Sequence, residues 1–264
     1  MRNLKTTNKI VIKVCTSTLT FDNGSLNLKR IEELVRVLAD IKNSGKQVVL
    51  VSSGAIGVGV SRLRLSERPQ DVKGKQAAAA VGQCQLMSIY DEFFRRYNQV
   101  VGQVLLTKDV ITNEIMHENA VNTFDALLKY DVIPIVNEND TVSTYEIMFG
   151  DNDTLSAYVA NIVDADLLIM LTDIDGLYDK NPAETGAKLI SEVQEITDAI
   201  RDGAGGVGSS RGTGGMATKI MAVEIAAQSQ TRTIIMDGAS PMAIYDVLEG
   251  VEIGTYFDIA QKQL

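Results

Sequence analysis

The chain has 264 residues, of which 45% are hydrophobic and 22% are charged, and its 34 acidic and 25 basic residues give a net charge of −9. An acidic protein repels polyanions, so we expect neither nucleic acid nor a membrane surface as a partner. One histidine and two cysteines are too few for a structural zinc site or a disulfide framework. The remaining chemistry is that of lysines, carboxylates, backbone amides and, at most, a hard metal ion.

The length and the apolar segments predict one unit without a membrane anchor. A single α/β domain often reaches about 250 residues. No apolar run reaches the ~18 residues of a membrane span. The first residues, Met1–Val14, lack the apolar region and cleavage site of a secretory signal. We therefore expect a soluble, cytoplasmic protein.

Apolar periodicity in the first third of the chain predicts alternating strands and helices. A strand over Lys9–Cys15 precedes a helix over Ile31–Ile41. The second predicted strand, Gln47–Val51, runs into the small residues and glycines of Ser52–Gly59. Such a junction lets the backbone approach a ligand closely.

The rest of the chain continues this alternation. The predicted elements are two consecutive helices in Val72–Tyr97, a strand near Val100–Leu106, a helix near Ile115–Tyr130, a strand over Val132–Val136, a hairpin arm over Ser143–Phe149, a helix over Thr154–Val163, a strand over Asp166–Leu171, a helix over Met216–Ala227 and a strand over Thr233–Met236. Strands that alternate with helices predict a mostly parallel sheet covered on both faces.

Two polar clusters stand where open α/β sheets place their ligands. Asn137–Asp140 follows a predicted strand, and the carboxyl ends of parallel strands form the usual binding edge. Gly150–Asp153 begins the next predicted helix. Because Asp and Asn are also favoured N-caps, helix capping is the alternative role for both clusters.

Cationic and glycine-rich segments suggest an anion site. Lys13 lies in an apolar strand, where a lysine is rarely buried without a partner; the alternative is an edge strand with Lys13 facing water. Gly212–Lys219 combines free backbone N–H groups at a helix start with an ammonium group, which suits phosphate; a flexible turn with a solvated lysine is the alternative. Ser53-Gly54 suits a carboxylate or phosphate, although tight helix–strand packing also favours glycine.

Two familiar nucleotide-binding motifs are disfavoured. Gly203–Gly208 matches G-x-G-x-x-G in its letters, but no predicted strand precedes it and no helix begins within it. The P-loop pattern G-x-x-x-x-G-K-[ST] does not occur in the sequence. A dinucleotide-binding protein and a P-loop triphosphatase are therefore not expected.

Together, several segments resemble the amino acid kinase superfamily and, within it, the glutamate 5-kinase family, from Lys9 to about Phe257. The segments that carry the resemblance are Ile10–Lys13, Val51–Ile56, Pro134–Asp140, Gly150–Asp153, Leu171–Asp173, Gly176–Tyr178 and Gly212–Lys219. The resemblance implies an α/β/α sandwich, in one domain over residues 1–264, with a mostly parallel central sheet. Glutamate is expected on the N-terminal part and ATP on the C-terminal part.

The same resemblance implies ATP-dependent phosphorylation of the γ-carboxylate of L-glutamate to L-glutamyl 5-phosphate, the first step of proline biosynthesis. It implies that Lys13 and Lys219 contact the transferring phosphoryl group and that Asp153 holds both lysines. Asp140 is the expected partner of the substrate's α-ammonium group. The implied ATP-binding residues are Lys13, Thr172, Asp173, Thr213, Gly214, Gly215, Met216, Ala217, Thr218 and Lys219, and the implied glutamate-binding residues are Ser53, Asp140 and Asn152.

A carboxylate with a pKa near 4.3 is ionised at neutral pH, so its attack on phosphorus needs no histidine base. We expect Mg²⁺ to be held mainly by phosphate oxygens and water, without dedicated protein ligands, because it keeps much of its hydration. The family further implies feedback inhibition by proline and a homo-oligomer, either a dimer or a tetramer.

The chain departs from the family pattern in two places. Cys15 stands where the family usually has glycine, which predicts a more crowded turn near the phosphates. The sequence ends at Leu264 without the PUA domain that many members carry, which predicts the short form.

Two other functions remain as alternatives. A sibling kinase would act on aspartate, N-acetylglutamate, carbamate or uridylate, and a regulator would bind nucleotide without catalysis. Asp140 favours an acceptor with a free amino group. Lys13, Asp153 and Lys219 favour catalysis.

Overall fold

The structure is a computed structural model that describes residues 2–21, 24–142, 152–204 and 215–259. Eight strands in these ranges form one sheet. They are β1 (Lys9–Val14), β2 (Gln47–Ser52), β3 (Val100–Leu106), β4 (Val132–Glu138), β5 (Leu167–Thr172), β6 (Glu192–Val193), β7 (Arg232–Asp237) and β8 (Thr255–Phe257).

The helices of the described ranges connect these strands. They are α1 (Thr16–Leu19), α2 (Leu28–Asn43), α3 (Ala55–Arg62), α4 (Val72–Arg95), α5 (Asp109–Thr112), α6 (Glu114–Lys129), α7 (Asn152–Ile162), α8 (Asp198–Ala204), α9 (Met216–Ala227) and α10 (Ala243–Leu248). None of the helices in this part of the chain is long and apolar enough to cross a membrane.

The strand order is β3-β4-β2-β1-β5-β7-β8-β6. The first six of these strands run parallel, and β8 pairs antiparallel with β7 and parallel with β6. The predicted α/β class with a mostly parallel sheet is therefore confirmed. Because β1 lies between β2 and β5, it is buried along nearly its whole length.

Helices cover both faces of the sheet, as the continuous apolar strands predict. Ile10, Ile12 and Val14 of β1 pack on one face with residues of α2, α4 and α10. Val11 packs on the opposite face with residues of α6, α7 and α9. Lys13 follows Val11 by two positions, so its side chain leaves the strand on the α7 and α9 side.

The predicted pair of helices over Val72–Tyr97 is wrong, because α4 is continuous through Gly82. A Cβ atom on Gly82 would lie 1.7 Å from the carbonyl oxygen of Ala55 in α3. A Cβ atom on Gly59 would lie 1.8 Å from the carbonyl oxygen of Ala78. The two glycines therefore let α3 and α4 pack backbone to backbone.

Two strands have no counterpart in the sequence prediction. The segments Glu192–Val193 and Thr255–Phe257 form β6 and β8 at one edge of the sheet. They have two and three residues, too few to show the alternation that marks a strand. The predicted hairpin arm over Ser143–Phe149 lies outside the described residues.

Candidate active site

The carboxyl ends of the parallel strands meet at one edge of the sheet, and most of the predicted site residues lie there. Lys13 is near the end of β1, Ser53 follows β2, Asp140 follows β4 and Thr172 ends β5. Helix α7 begins at this edge with Asn152 and Asp153. A parallel sheet therefore brings together residues that are far apart in the sequence.

Asp153 contacts both predicted lysines. The Lys13 Nζ lies 2.6 Å from Asp153 Oδ1, and the Lys219 Nζ lies 3.1 Å from Asp153 Oδ2. Thr218 Oγ1 also donates to Asp153 Oδ2, at 3.0 Å. The exposed fractions are 1% for Lys13, 5% for Lys219 and 0% for Asp153, so water does not separate the charges.

This triad of Lys13, Asp153 and Lys219 carries a net positive charge, because two ammonium groups share one carboxylate. A buried charge is costly unless it is paired, which explains why both lysines converge on Asp153. Each ammonium group has three N–H donors. The triad therefore places positive charge at this edge of the sheet, and its predicted contact with a phosphoryl group stays a prediction.

The edge-strand alternative for Lys13 is wrong. Lys13 is in register with Val51 of β2 on one side and with Met170 of β5 on the other. The strand is thus central, and the partner that its burial requires is Asp153.

Helix α9 brings its N-terminus to the triad. Gly215 is the N-cap residue, and glycine has no side chain that could cap the helix. The backbone N–H groups of the first turn, at Met216 and Ala217, therefore receive no bond from an N-cap side chain. The one hydroxyl hydrogen of Thr218 is shared between Asp153 Oδ2 and the Gly215 carbonyl oxygen, which lies 2.8 Å from Thr218 Oγ1. The positive end of the helix dipole therefore adds to the charge of the lysines. The predicted residues Thr213 and Gly214 lie outside the described part of the chain.

Thr172 and Asp173 lie at the end of β5. Thr172 is buried, and its Oγ1 donates to Asp173 Oδ1 at 3.1 Å. Asp173, the residue after β5, is exposed. Their predicted contact with ATP stays a prediction.

Asn152 lies at the centre of a second group of polar side chains. Its Nδ2 atom lies 3.0 Å from the Ser52 carbonyl oxygen, 3.1 Å from Ser53 Oγ and 2.8 Å from Asn137 Oδ1. Asn137 Nδ2 donates in turn to Gln83 Oε1 at 2.9 Å. The Asn152 Oδ1 atom is buried and has no hydrogen-bond partner among the described residues. A buried acceptor without a partner is costly, so this oxygen is suited to accept a hydrogen bond from a water or a bound molecule.

Asn137 lies in the polar cluster predicted at the binding edge, but neither Asn137 nor Gln83 was predicted individually as a site residue. Asn137 belongs to a polar cluster after a predicted strand, which was the available signal. Gln83 lies in an alanine-rich helix, and nothing in the sequence marks it as buried. Asp140, two residues beyond β4, is 7% exposed and therefore buried near the same edge.

Gly54 shapes the junction between β2 and α3. Its φ of +100° is a left-handed conformation that favours glycine. A Cβ atom there would find its nearest neighbour at 3.8 Å, an ordinary contact. Tight packing is therefore not the reason for glycine at this position. The reason is the left-handed turn, which follows Ser53.

The sequence of this chain is similar to known proteins over nearly its full length. The family model described as the amino acid kinase family matches residues 8–237, most of the chain. The chain belongs to the amino acid kinase family. It is 55% identical to a glutamate 5-kinase of Clostridium perfringens, over 98% of each chain. It is 51% identical to a glutamate 5-kinase of Listeria monocytogenes, over 99% of this chain and 97% of that protein.

Solved structures show the same amino acid kinase fold. A carbamate kinase from Giardia lamblia bound to AMP-PNP aligns with a TM-score of 0.68 and 16% identity, covering 97% of this chain and 99% of that one. An isopentenyl phosphate kinase aligns with a TM-score of 0.63 and 16% identity, over 95% of this chain and 100% of that one. At such identities the likeness concerns the fold alone.

Cys15, where the family usually has glycine, does not have a backbone conformation that requires glycine. Cys15 has an extended backbone, with φ −87° and ψ 164°, and it is the N-cap of α1. Its Sγ lies 3.0 Å from Ser17 Oγ and 3.2 Å from Thr18 Oγ1. A side chain is thus compatible with the backbone at this position of an amino acid kinase.

The described part of the site offers few ligands to Mg²⁺. Within residues 2–21, 24–142, 152–204 and 215–259, no three His, Cys, Asp or Glu side chains are grouped as a metal site. The Asp153 carboxylate contacts both lysines and Thr218. This donor set fits an ion held through phosphate oxygens, which stays a prediction.

Proposed function

We propose that this chain transfers the γ-phosphoryl group of ATP to the γ-carboxylate of L-glutamate, which gives L-glutamyl 5-phosphate and ADP. The observation that carries the proposal is the buried Asp153 carboxylate, which holds Lys13 and Lys219 together. Relatives named glutamate 5-kinase, 51–55% identical over nearly the full chain, support glutamate as the acceptor.

The reaction needs no proton transfer. An oxygen of the ionised γ-carboxylate attacks the γ-phosphorus, and the bond from that phosphorus to the β,γ-bridging oxygen breaks. The bond electrons leave with ADP. Because the nucleophile is already ionised at neutral pH, the site requires alignment and charge neutralisation rather than a general base.

In this proposal Lys13 and Lys219 are the catalytic cations. They neutralise the charge on the transferring phosphoryl oxygens, and Asp153 keeps their ammonium groups in place before the substrates bind. Charged donors that need no rearrangement stabilise a transition state more than mobile ones. Alignment of the two substrates contributes further, up to roughly 7–11 kcal/mol in favourable cases.

The C-terminal part is proposed to hold ATP. The first turn of α9 supplies N–H groups for the phosphates, beside Lys219 and Thr218. When bound, Mg²⁺ would neutralise charge on the phosphate oxygens and be held mainly through them. The proposed ATP-binding residues are those predicted from the sequence, including Thr172, Asp173 and the segment 213–217.

The N-terminal part is proposed to hold glutamate. Asp140 pairs with the α-ammonium group, Ser53 contributes a hydroxyl, and Asn152 presents an open acceptor. A free amino group distinguishes glutamate from N-acetylglutamate, carbamate and uridylate. The proposal extends to proline biosynthesis as the pathway, proline as a feedback inhibitor, a homo-oligomer and a cytoplasmic location.

An acceptor comparison tests the function. ADP release from Mg-ATP is measured with glutamate, aspartate, N-acetylglutamate, carbamate and UMP, and hydroxylamine traps any acyl phosphate. We expect ADP and a hydroxamate with glutamate. Preferential ADP release with another acceptor would refute the substrate assignment, and no release with any acceptor would refute the kinase assignment.

A further inference from the structure

Gln83 is a buried polar residue of α4 that reaches the acceptor half of the site. Its Oε1 atom accepts a hydrogen bond from Asn137 Nδ2 at 2.9 Å, and Asn137 Oδ1 accepts one from Asn152 Nδ2 at 2.8 Å. The exposed fractions are 9% for Gln83 and 3% for both Asn137 and Asn152. Three amides thus form a buried relay that ends at Asn152.

The relay has a fixed direction. The backbone carbonyl of Ser52 can only accept, so Asn152 must turn its NH₂ group toward it. Asn137 must then present its oxygen to that NH₂ group and its own NH₂ group to Gln83. Gln83 in turn must offer an oxygen. The result is that Asn152 Oδ1 points away from these partners as a buried acceptor without a partner among the described residues.

We propose that Gln83 is a positioning residue for the acceptor amino acid. The Ser52 carbonyl sets the orientation of Asn152, and Gln83 reinforces it by accepting from the Asn137 amide, so that Asn152 Oδ1 stays available to accept an N–H bond from the substrate's ammonium group. Without an acceptor at position 83, Asn137 loses one of the two bonds that favour its orientation, and whenever it turns over its NH₂ group faces that of Asn152 and displaces it. This inference rests on the proposed function, because it takes the acceptor to carry an amino group.

Tyr90 provides a matched control on the same helix. It is fully buried, and its hydroxyl lies 2.8 Å from Ser52 Oγ. Hydroxyl groups rotate and can donate or accept, so this contact sets no amide orientation. Tyr90→Phe therefore removes a buried polar contact of α4 without disturbing the direction of the relay.

The test compares Gln83→Met, Gln83→Glu and Tyr90→Phe with the unaltered chain. Gln83→Met removes the acceptor at similar size, and we expect about a tenfold higher KM for glutamate, with kcat and the KM for ATP within about twofold. Gln83→Glu keeps an acceptor, so its KM for glutamate should lie closer to that of the unaltered chain than the KM of Gln83→Met does. Tyr90→Phe should leave the KM for glutamate unchanged.

Glutarate, which lacks the amino group, separates positioning from general damage. Its binding, measured by calorimetry, should be equal in the unaltered chain and Gln83→Met, whereas glutamate binding should weaken about tenfold. Equal glutamate affinities in the unaltered chain and Gln83→Met, or an equal loss of glutarate and glutamate binding in Gln83→Met, would each overturn the inference. Glutamate binding without any turnover in the unaltered chain would instead overturn the proposed function alone.

Discussion

Asp153 is the residue on which the proposed chemistry depends most. It joins Lys13, 140 positions earlier in the chain, to Lys219, 66 positions later. All three side chains are buried, so removal of Asp153 would leave two neighbouring ammonium groups lacking its carboxylate in a poorly solvated place, whereas removal of either lysine leaves a neutral pair. The same contacts therefore serve folding and the proposed catalysis.

Replacement of Lys219 should affect turnover more than substrate binding. Lys219→Ala removes a cation that the proposal assigns to the transition state, so kcat should fall about 10²–10³-fold. The KM for glutamate should change less than about threefold. Steady-state kinetics measure both, and Lys29→Ala, at a lysine that is 87% exposed, is the control. Unchanged turnover in Lys219→Ala would remove Lys219 from the mechanism.

Replacement of Asp140 should affect glutamate binding more than turnover. Asp140→Asn keeps the size of the side chain but removes the charge proposed to pair with the α-ammonium group. The KM for glutamate should rise at least tenfold, because hydrogen bonds between charged groups are worth about 1.5–3 kcal/mol. The KM for ATP should not change. An unaltered KM for glutamate would show that Asp140 does not bind the amino group.

The site residues that could be predicted from the sequence are those whose chemical type is unusual for their position in the predicted element. Lys13 in an apolar strand required a partner, and the carboxylate of Asp153 is the group that Lys13 contacts. Gln83 was missed, because a glutamine in an alanine-rich helix is also typical of a solvated face. Its burial follows from the packing of α4 against the sheet, which no local pattern encodes.

Among the elements, α3 and α4 pack most closely. Gly82→Ala would place a methyl group 1.7 Å from the carbonyl oxygen of Ala55, a backbone atom that cannot move independently. We expect the free energy of unfolding to fall by about 3 kcal/mol, at the upper end of typical overpacking costs. Urea denaturation measures it.

Gly57→Ala is the matched control in α3. The new methyl group would meet only the Thr16 Cγ2 atom, at 3.7 Å. Since alanine is the better helix former, this variant should be equal to the unaltered chain or more stable by up to about 1 kcal/mol. If both variants lost the same stability, close packing at Gly82 would not be the reason for its glycine.

Elements with strong periodicity were predicted well, and those that depend on tertiary contacts were not. The predicted helix near Ile115–Tyr130 differs from α6 by one residue at each end. The second helix predicted within Val72–Tyr97 is absent, because α4 continues through Gly82, where it contacts α3. Local patterns cannot distinguish a glycine that ends a helix from one that a neighbouring helix requires.

For the whole molecule, alkaline pH should reduce stability through Tyr245. Its hydroxyl donates to Asp40 Oδ2 at 2.6 Å and so links α10 to α2. Burial, with the bond to Asp40, raises the pKa of Tyr245 from its ordinary value near 10 to about 12. A pKa raised in the folded state contributes stability that is present below about pH 10 and lost between about pH 10 and 12.

Denaturation at a series of pH values checks this dependence. The free energy of unfolding should fall over this range, and the fall should be smaller in Tyr245→Phe. Identical pH profiles for the two proteins would show that Tyr245 does not contribute. Tyr90, whose pKa burial also raises, is present in both proteins and cancels in the comparison.

The overall charge of −9 contrasts with the positive triad at the carboxyl edge of the sheet. Composition alone excluded histidine and thiol chemistry but could not locate the lysines. Their meeting point depends on the strand order, in which β1 lies between β2 and β5. In the proposed reaction, this positive site lets the γ-carboxylate of glutamate attack the γ-phosphorus of ATP.

An isotope experiment tests that claim most directly. Glutamate labelled with ¹⁸O in its γ-carboxylate is incubated with Mg-ATP and hydroxylamine, which attacks the acyl carbon and releases phosphate with the bridging oxygen. Mass spectrometry of that phosphate should find one ¹⁸O per molecule, and Lys219→Ala should release little labelled phosphate. Phosphate without ¹⁸O, formed at the same rate as ADP, would contradict the account.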